Sequence, residues 1–286
     1  MEKKYALITG CSSGFGALMA IELAKNSFHV LATMRSTNKA DLLMELANRE
    51  GVQSHLSIHE LDVTSSHSIE NLKGLLQQLP SVDVLINNAG YAGAGFAEEV
   101  PLDEYRAQFE TNVFGTIAVT QAVLPFMRAQ RKGTIINMSS ISGRAGFPGL
   151  SPYAASKFAI EGWSESLRLE MKPFGVHVAM LEPGSFKTSI WSTGKKITEK
   201  SLRKDSPYYV YMTKIQDYLD KSEPNYEDPI IVAKKAVSIA LKKKPTLRYP
   251  VGKGVKTRIS LKNLLSWKSW ENIILKKLYK NYFINK

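Results

Sequence analysis

Between a short apolar run, Lys4-Tyr5-Ala6-Leu7-Ile8-Thr9, and a stretch with helical periodicity through Leu18, Ile21, Leu23 and Ala24, the chain places Gly10-Cys11-Ser12-Ser13-Gly14-Phe15-Gly16. The apolar run reads as a buried strand and the periodic stretch as a helix. A glycine-rich turn from strand to helix aims backbone N–H groups, and the positive end of the helix, at an anion such as a phosphate. The spacing here is GxxxGxG, which departs from the GxGxxG pattern of dinucleotide-binding turns. An ordinary tight turn would use the same glycines, so the rest of the chain must decide.

The rhythm set by that first unit repeats. Strand-like runs at residues 29–34, 57–61, 82–86, 134–138 and 176–181 alternate with helical patterns at 41–50, 65–79, 103–127 and 151–173. A last helix at 228–241 precedes a last strand at 246–251. Ser65 or Ser66 suits the cap of the third helix, and Asn112 is awkward inside the fourth, where its amide competes for backbone hydrogen bonds and marks a local break. Alternation of this kind implies right-handed crossovers and a parallel sheet: an α/β, doubly wound architecture flanked by helices.

The chemistry centres on Ser151-Pro152-Tyr153-Ala154-Ala155-Ser156-Lys157. With Ser151 as cap and Pro152 in the first turn, Tyr153 and Lys157 fall on one helical face. A fixed ammonium beside a phenol favours the phenolate, so the pair suits acid/base work on an alcohol or carbonyl. A surface helix with an unrelated Tyr and Lys would carry the same tetrapeptide. Other stretches sit where an open α/β sheet holds its ligand. Asn87-Asn88-Ala89-Gly90 ends the fourth strand, and Arg35, with Lys39, follows the second, where no acid stands between Phe28 and Ala40. An acid there holds a ribose 2′-hydroxyl, whereas an Arg accommodates a 2′-phosphate, so NADP(H) is expected in preference to NAD(H).

Composition closes off other classes. The chain has 286 residues, 44% of them hydrophobic, enough for a sizeable core. No apolar run approaches the ~20 residues of a membrane-spanning helix, and Met1-Glu2-Lys3-Lys4 leads straight into a strand, so a cytoplasmic protein is expected. Cys11 is the only cysteine, which fits a reducing compartment, and the five histidines have no ligand-spaced partners, so no metal site is expected. The net charge of +12 resides wholly in residues 242–286, which hold thirteen Lys/Arg against the single acid Glu271.

Taken in order, these residues resemble the short-chain dehydrogenase/reductase superfamily over about residues 4–252. The turn from Thr9 to Gly16 matches its cofactor loop, Asp62-Val63 its adenine contact and Asn87-Asn88-Ala89-Gly90 its fourth-strand motif. Asn112, Ser140, Tyr153 and Lys157 match its catalytic set, and Pro183-Gly184 with Thr188 its nicotinamide-side turn. Within the superfamily, Thr33-Met34-Arg35 and Arg248-Tyr249-Pro250-Val251-Gly252 look closest to retinol and 17β-hydroxysteroid dehydrogenase-like members. The resemblance implies a Rossmann-type fold and hydride transfer between a nicotinamide and a carbonyl or alcohol. Ser140 would bond the substrate oxygen and Tyr153 would deliver or take the proton. Lys157 would lower the Tyr153 pKa and hold the nicotinamide ribose, while Asn112 would pass protons from Lys157 toward solvent. The cofactor set comprises Gly10, Ser12, Ser13, Gly14, Phe15, Gly16, Arg35, Asp62, Val63, Asn88, Ala89, Gly90, Tyr153, Lys157, Pro183, Gly184 and Thr188. Ser139 could replace Ser140 by register, and Asn112 could serve only as a helix kink. Members of the superfamily often form dimers or tetramers through the helices of Asn112 and Tyr153. A non-catalytic NADP(H)-responsive sensor on the same fold is the rival reading, and the intact Ser140, Tyr153 and Lys157 set speaks against it.

Residues 184–227 lose the strand–helix rhythm and turn aromatic, with Phe186, Trp191, Tyr208, Tyr209, Tyr211 and Tyr218. Together with Phe147 and Leu150 they predict an apolar pocket for a bulky steroid-, retinoid- or lipid-like carbonyl or alcohol. Phe147, Phe186 and Trp191 join Ser140 and Tyr153 as the candidate substrate residues. Beyond the 1–252 domain, residues 253–286 form a basic amphipathic extension. It suits either packing on the domain or peripheral contact with an anionic membrane, and no motif for nucleic acid accompanies it.

Overall fold

The computed structural model describes residues 3–188 and 195–279. β1 (Lys4–Ile8) runs through the glycine turn into α1 (Gly14–Lys25), which returns over the sheet to β2 (Phe28–Met34). The pattern repeats through α2 (Asp41–Glu50), β3 (Leu56–Glu60), α3 (Ser66–Leu76) and β4 (Val84–Asn87). Ser65 caps α3, its hydroxyl accepting from the Ser68 amide at 3.2 Å.

After the short β5 (Ala92–Ala94), a long helical region begins as α4 (Leu102–Phe109), widens into one π turn over Glu110–Phe114, and continues as α5 (Gly115–Ala129). Asn112 lies in that π turn, so the expected break is there. β6 (Gly133–Met138), α6 (Ser151–Met171) and β7 (Val176–Pro183) follow. β8 (Lys195–Ile197), α7 (Tyr209–Ser222), α8 (Ile230–Ala240) and β9 (Arg248–Val251) lead to two last helices, α9 (Val255–Leu264) and α10 (Trp267–Tyr279).

Seven strands form a parallel sheet in the order β3-β2-β1-β4-β6-β7-β9. Alternate residues feed opposite layers, as the strand period requires. Ala6, Ile8, Val30 and Ile86 pack with α1 and α8, whereas Leu7, Leu31, Leu85 and Ile135 pack with α3, α5 and α6. The order of winding reverses between β1 and β4, and the crevice beyond their carboxyl ends is where such a sheet takes a ligand.

Two local expectations are corrected. Ser151 is the first helical residue of α6, Leu150 takes the cap position, and the Ser151 hydroxyl pairs with the Tyr105 phenol at 2.6 Å. The described part of 184–227 contains regular elements: β8, paired in parallel with β5, and the fourteen-residue α7. The chain-terminal helices pack in part on the body, with Val255, Ile259, Trp270 and Tyr279 buried and Tyr279 edge-on to Tyr211 of α7 at 5.2 Å.

Candidate active site

The glycine turn is held from behind by β4. The Asn88 amide donates to the carbonyls of Thr9 at 2.9 Å and Gly10 at 3.0 Å, and the Thr9 hydroxyl accepts from the backbone of Asn88 and Ala89. Asn88 therefore shapes the cofactor turn with the same amide that was expected to face the ligand. Gly10 has φ +72°, and a Cβ on Gly16 would lie 2.2 Å from the Gly10 carbonyl, so this tight crossing admits only glycine. The other asparagine, Asn87, donates to Thr120 and to Asn137, each at 2.8 Å, and so ties β4 to β6 and α5 within the core.

β6 and α6 deliver the acid/base group. Beyond β6, Ser140 stands in extended backbone, accepts from the Ser142 amide at 3.1 Å and hydrogen-bonds the Tyr153 phenol. Lys157, one turn along α6, donates to the Met138 carbonyl at 2.6 Å, with its ammonium 5.7 Å from the Tyr153 ring centre. Burial pushes the Tyr153 phenol up to about 12, against the bond from Ser140, and pulls the Lys157 ammonium down to about 8, against the carboxylate of Glu161. Burial is the larger cause at Tyr153 and favours the neutral phenol. At neutral pH the pair rests as phenol and ammonium, the state that donates a proton to a carbonyl oxygen.

One narrow cleft gathers ten of the expected residues. Phe15, Asn88 and Gly90 line it from the cofactor side, Ser140, Tyr153 and Lys157 from the centre, and Pro183, Gly184, Phe186 and Thr188 from the end of β7. Phe186 is fully buried and meets Phe15 edge-on at 5.8 Å, so it closes the cleft as core rather than as an open substrate wall. The Thr188 hydroxyl is buried there with no hydrogen-bond partner. An orphaned hydroxyl beside an acid/base pair fits a polar group of a bound molecule. Ser139, the alternative to Ser140 by register, also lines the cleft, but its hydroxyl has no partner and it is Ser140 that bonds Tyr153.

Other expected residues lie apart from the centre. Asn112 is buried and bonded through its side chain to both backbone groups of Tyr91 and to the Ser156 hydroxyl, each at 3.1 Å, with none of these bonds to Lys157. Its side chain acts as the brace of the π turn. Asp62 and Val63 follow β3, and Arg35 follows β2. Burial raises the Asp62 carboxyl, but the Thr64 bonds and the Arg35 charge outweigh it and hold that carboxyl below its ordinary value. Ser12, Ser13 and Gly14 complete the turn at the start of α1. Phe147 is half-buried outside the cleft lining, and Trp191 lies outside the described residues.

Sequence reading missed the support beneath α6. Glu182, fully buried at the end of β7, pairs with Arg144 at 3.2 Å and Arg248 at 3.3 Å, and Arg248 also reaches Glu161 at 2.9 Å and Glu165. Burial and the neighbouring Glu161 raise Glu182 to about 7 against the two arginines. Beyond Phe186 and Thr188 a larger chamber of about 470 Å³ opens, walled by Leu219, Pro224 and Tyr226 with Lys187, Lys195 and Asp220. Of the aromatics expected at the substrate, Tyr208 instead stacks on Phe96 at 4.6 Å, and Tyr211 and Tyr218 serve α10.

Comparison with known proteins agrees with this arrangement. The short chain dehydrogenase family profile matches residues 4–198. The chain is 48% identical over 280 residues to an uncharacterised oxidoreductase of Bacillus subtilis, YusZ, covering 98% of this chain and 100% of that protein. It is 34% identical to the 3-ketodihydrosphingosine reductase of Bacteroides thetaiotaomicron over 88% of this chain and 89% of the relative. It is 39% identical to human retinol dehydrogenase 8 over 68% and 62%. A short-chain dehydrogenase structure from Streptomyces avermitilis superposes with a TM-score of 0.79 at 30% identity, covering 100% of this chain and 99% of that one. ElxO with NADP bound superposes at 0.73 and 26% identity, covering 90% and 100%. Matches over nearly the whole length, in sequence and in fold, establish that the chain belongs to the short-chain dehydrogenase family, with retinol dehydrogenase-like relatives, and is an oxidoreductase of CH–OH and C=O groups.

Proposed function

We propose that the protein is an NADP(H)-dependent reductase or dehydrogenase of a bulky, largely apolar carbonyl or alcohol. The observation that carries this reading is the buried Tyr153 phenol, bonded to Ser140 and followed one turn later by Lys157, in the cleft at the sheet's reversal point. A bound nicotinamide would supply or accept the hydride. The chain's own residues do the rest. The turn from Gly10 to Gly16 and the first turn of α1 present backbone donors to a pyrophosphate. Arg35 meets a 2′-phosphate, Asp62 with Val63 the adenine side, Thr188 with Pro183-Gly184 the nicotinamide side, and Lys157 the ribose hydroxyls. Ser140 orients the substrate oxygen while Tyr153 gives it a proton as negative charge grows there.

Substrate size is read from the chamber beyond Phe186, whose volume suits a drug-sized or lipid-like body. Lys187, Lys195, Asp220 and Glu223 in its lining would meet a polar end of that molecule. The names of two relatives, a retinol dehydrogenase and a 3-ketodihydrosphingosine reductase, support this class. NADP-bound ElxO supports the cofactor, as does Arg35 in the absence of an acid nearby. Two copies would pair through the π turn and α5 together with α6, where Phe114 of the turn and Phe158 of α6 are exposed.

The test is a panel of ketones and aldehydes graded by length and polarity, with NADPH and NADH compared in wild type and Arg35→Ala. Turnover should rise with apolar bulk, and the preference for NADPH should fall about 10-fold or more in the variant. Preference for short polar carbonyls would overturn the substrate class, and an unchanged cofactor ratio would remove Arg35 from the site.

A further inference from the structure

The chain-terminal helices divide their apolar residues between two sides. Val255 and Ile259 of α9 are buried against the body, as are Trp270 and Tyr279 of α10. Leu261 and Leu264 lie on the opposite side of α9, and Leu264 is 82% exposed. Trp267 opens α10 directly after the bend and is 65% exposed, with the Lys262 ammonium 6.0 Å from its ring. Packing on the domain therefore uses only part of the apolar surface. The corner between α9 and α10 presents a leucine–tryptophan knob to solvent.

Charge decides what fits that knob. Lys268 follows Trp267 in α10, and Arg258, Lys256 and Lys253 are exposed along and just before α9, in a segment whose only acid is Glu271. A protein partner with an apolar pocket would satisfy the leucines but not so dense a field of one sign. An anionic bilayer satisfies both: its acyl boundary takes leucine, its headgroup layer takes tryptophan, and its surface potential draws lysines.

We propose that the α9–α10 corner is the docking surface of this protein for an anionic lipid bilayer, with Leu261, Leu264 and Trp267 inserting and the exposed lysines meeting the headgroups. Among the described residues no helix is long and apolar enough to cross a membrane, and the contact proposed is a peripheral one. α10 packs on α7, with Tyr279 against Tyr211 and Lys277 4.9 Å from the Tyr218 ring, and α7 carries Leu219 into the chamber wall. The surface thus belongs to helices one of which packs on the element that bounds the substrate chamber, and only this last consequence rests on the apolar-substrate reading.

Co-sedimentation of the full chain with vesicles of phosphatidylcholine alone, or with added phosphatidylserine, tests the proposal without any activity assay. Binding should require phosphatidylserine and weaken at high salt. A double variant, Leu264→Asp with Trp267→Asp, and a charge variant, Lys256→Glu with Lys268→Glu, should each bind at least about tenfold less. Both should keep the wild-type melting temperature and turnover of a water-soluble carbonyl, because every altered side chain is exposed. Equal recovery with neutral vesicles, or wild-type binding by both variants, would overturn the proposal. So would a change of oligomeric state in the aspartate variant with vesicle binding intact, which would make the corner an interface between copies of this chain.

Discussion

Tyr153 and Lys157 show how burial and charge compete inside one turn of helix. Desolvation moves the two groups in opposite directions, the phenol up to about 12 and the ammonium down to about 8, because it disfavours the charged form of each. Glu161 matters to this balance because its charge is the one that opposes the fall of Lys157. Glu161→Gln removes that opposition, so the Lys157 value drops further. The alkaline limb of the reductase pH profile should move to lower pH, with activity at acidic pH nearly unchanged. A limb that stays in place, measured as kcat/KM across pH 6 to about 10, would mean that Lys157 is not the group that titrates there. The sequence showed Tyr153, Lys157 and Ser140 because their spacing is local or fits a known order. It hid Glu182, Arg144 and Arg248, which come together only when β7, β9 and the turn after β6 align in the sheet.

At the scale of elements, the glycine turn owes its shape to β4. Asn88→Ala removes both bonds to the Thr9 and Gly10 carbonyls, at a cost of about 1–3 kcal/mol. The variant should melt a few degrees lower and bind NADPH more weakly while Tyr153 and Ser140 remain in place. Unchanged melting and unchanged affinity would mean that the turn holds itself. Strands β1, β2, β4, β6 and β7 were legible as apolar runs because burial on both faces leaves no other composition open to them. The π turn was legible at Asn112, whose amide suits a break in the helix. α7 was not, because its half-buried aromatics, two of them in contact with α10, mask the helical period. The short β5–β8 pair was hidden as well, since β5 is Ala-Gly-Ala and carries no strand signal of its own.

For the whole molecule, a neutral body and a strongly basic end divide the work between chemistry and contact. The exposed Phe114 and Phe158 on the α5 and α6 side lie on elements different from those of the basic corner. Phe114→Lys with Phe158→Lys should therefore reduce oligomer mass in light scattering and leave vesicle binding intact; an unchanged mass would reject pairing through these helices. The central claim is that a buried phenol in this cleft is the proton donor for carbonyl reduction. Its most direct measurement is Tyr153→Phe, assayed for NADPH oxidation with the best carbonyl of the panel and, separately, for NADPH binding by fluorescence. The account predicts turnover reduced by about 10²–10⁴-fold with cofactor affinity essentially retained. Near-normal turnover in the variant would contradict it.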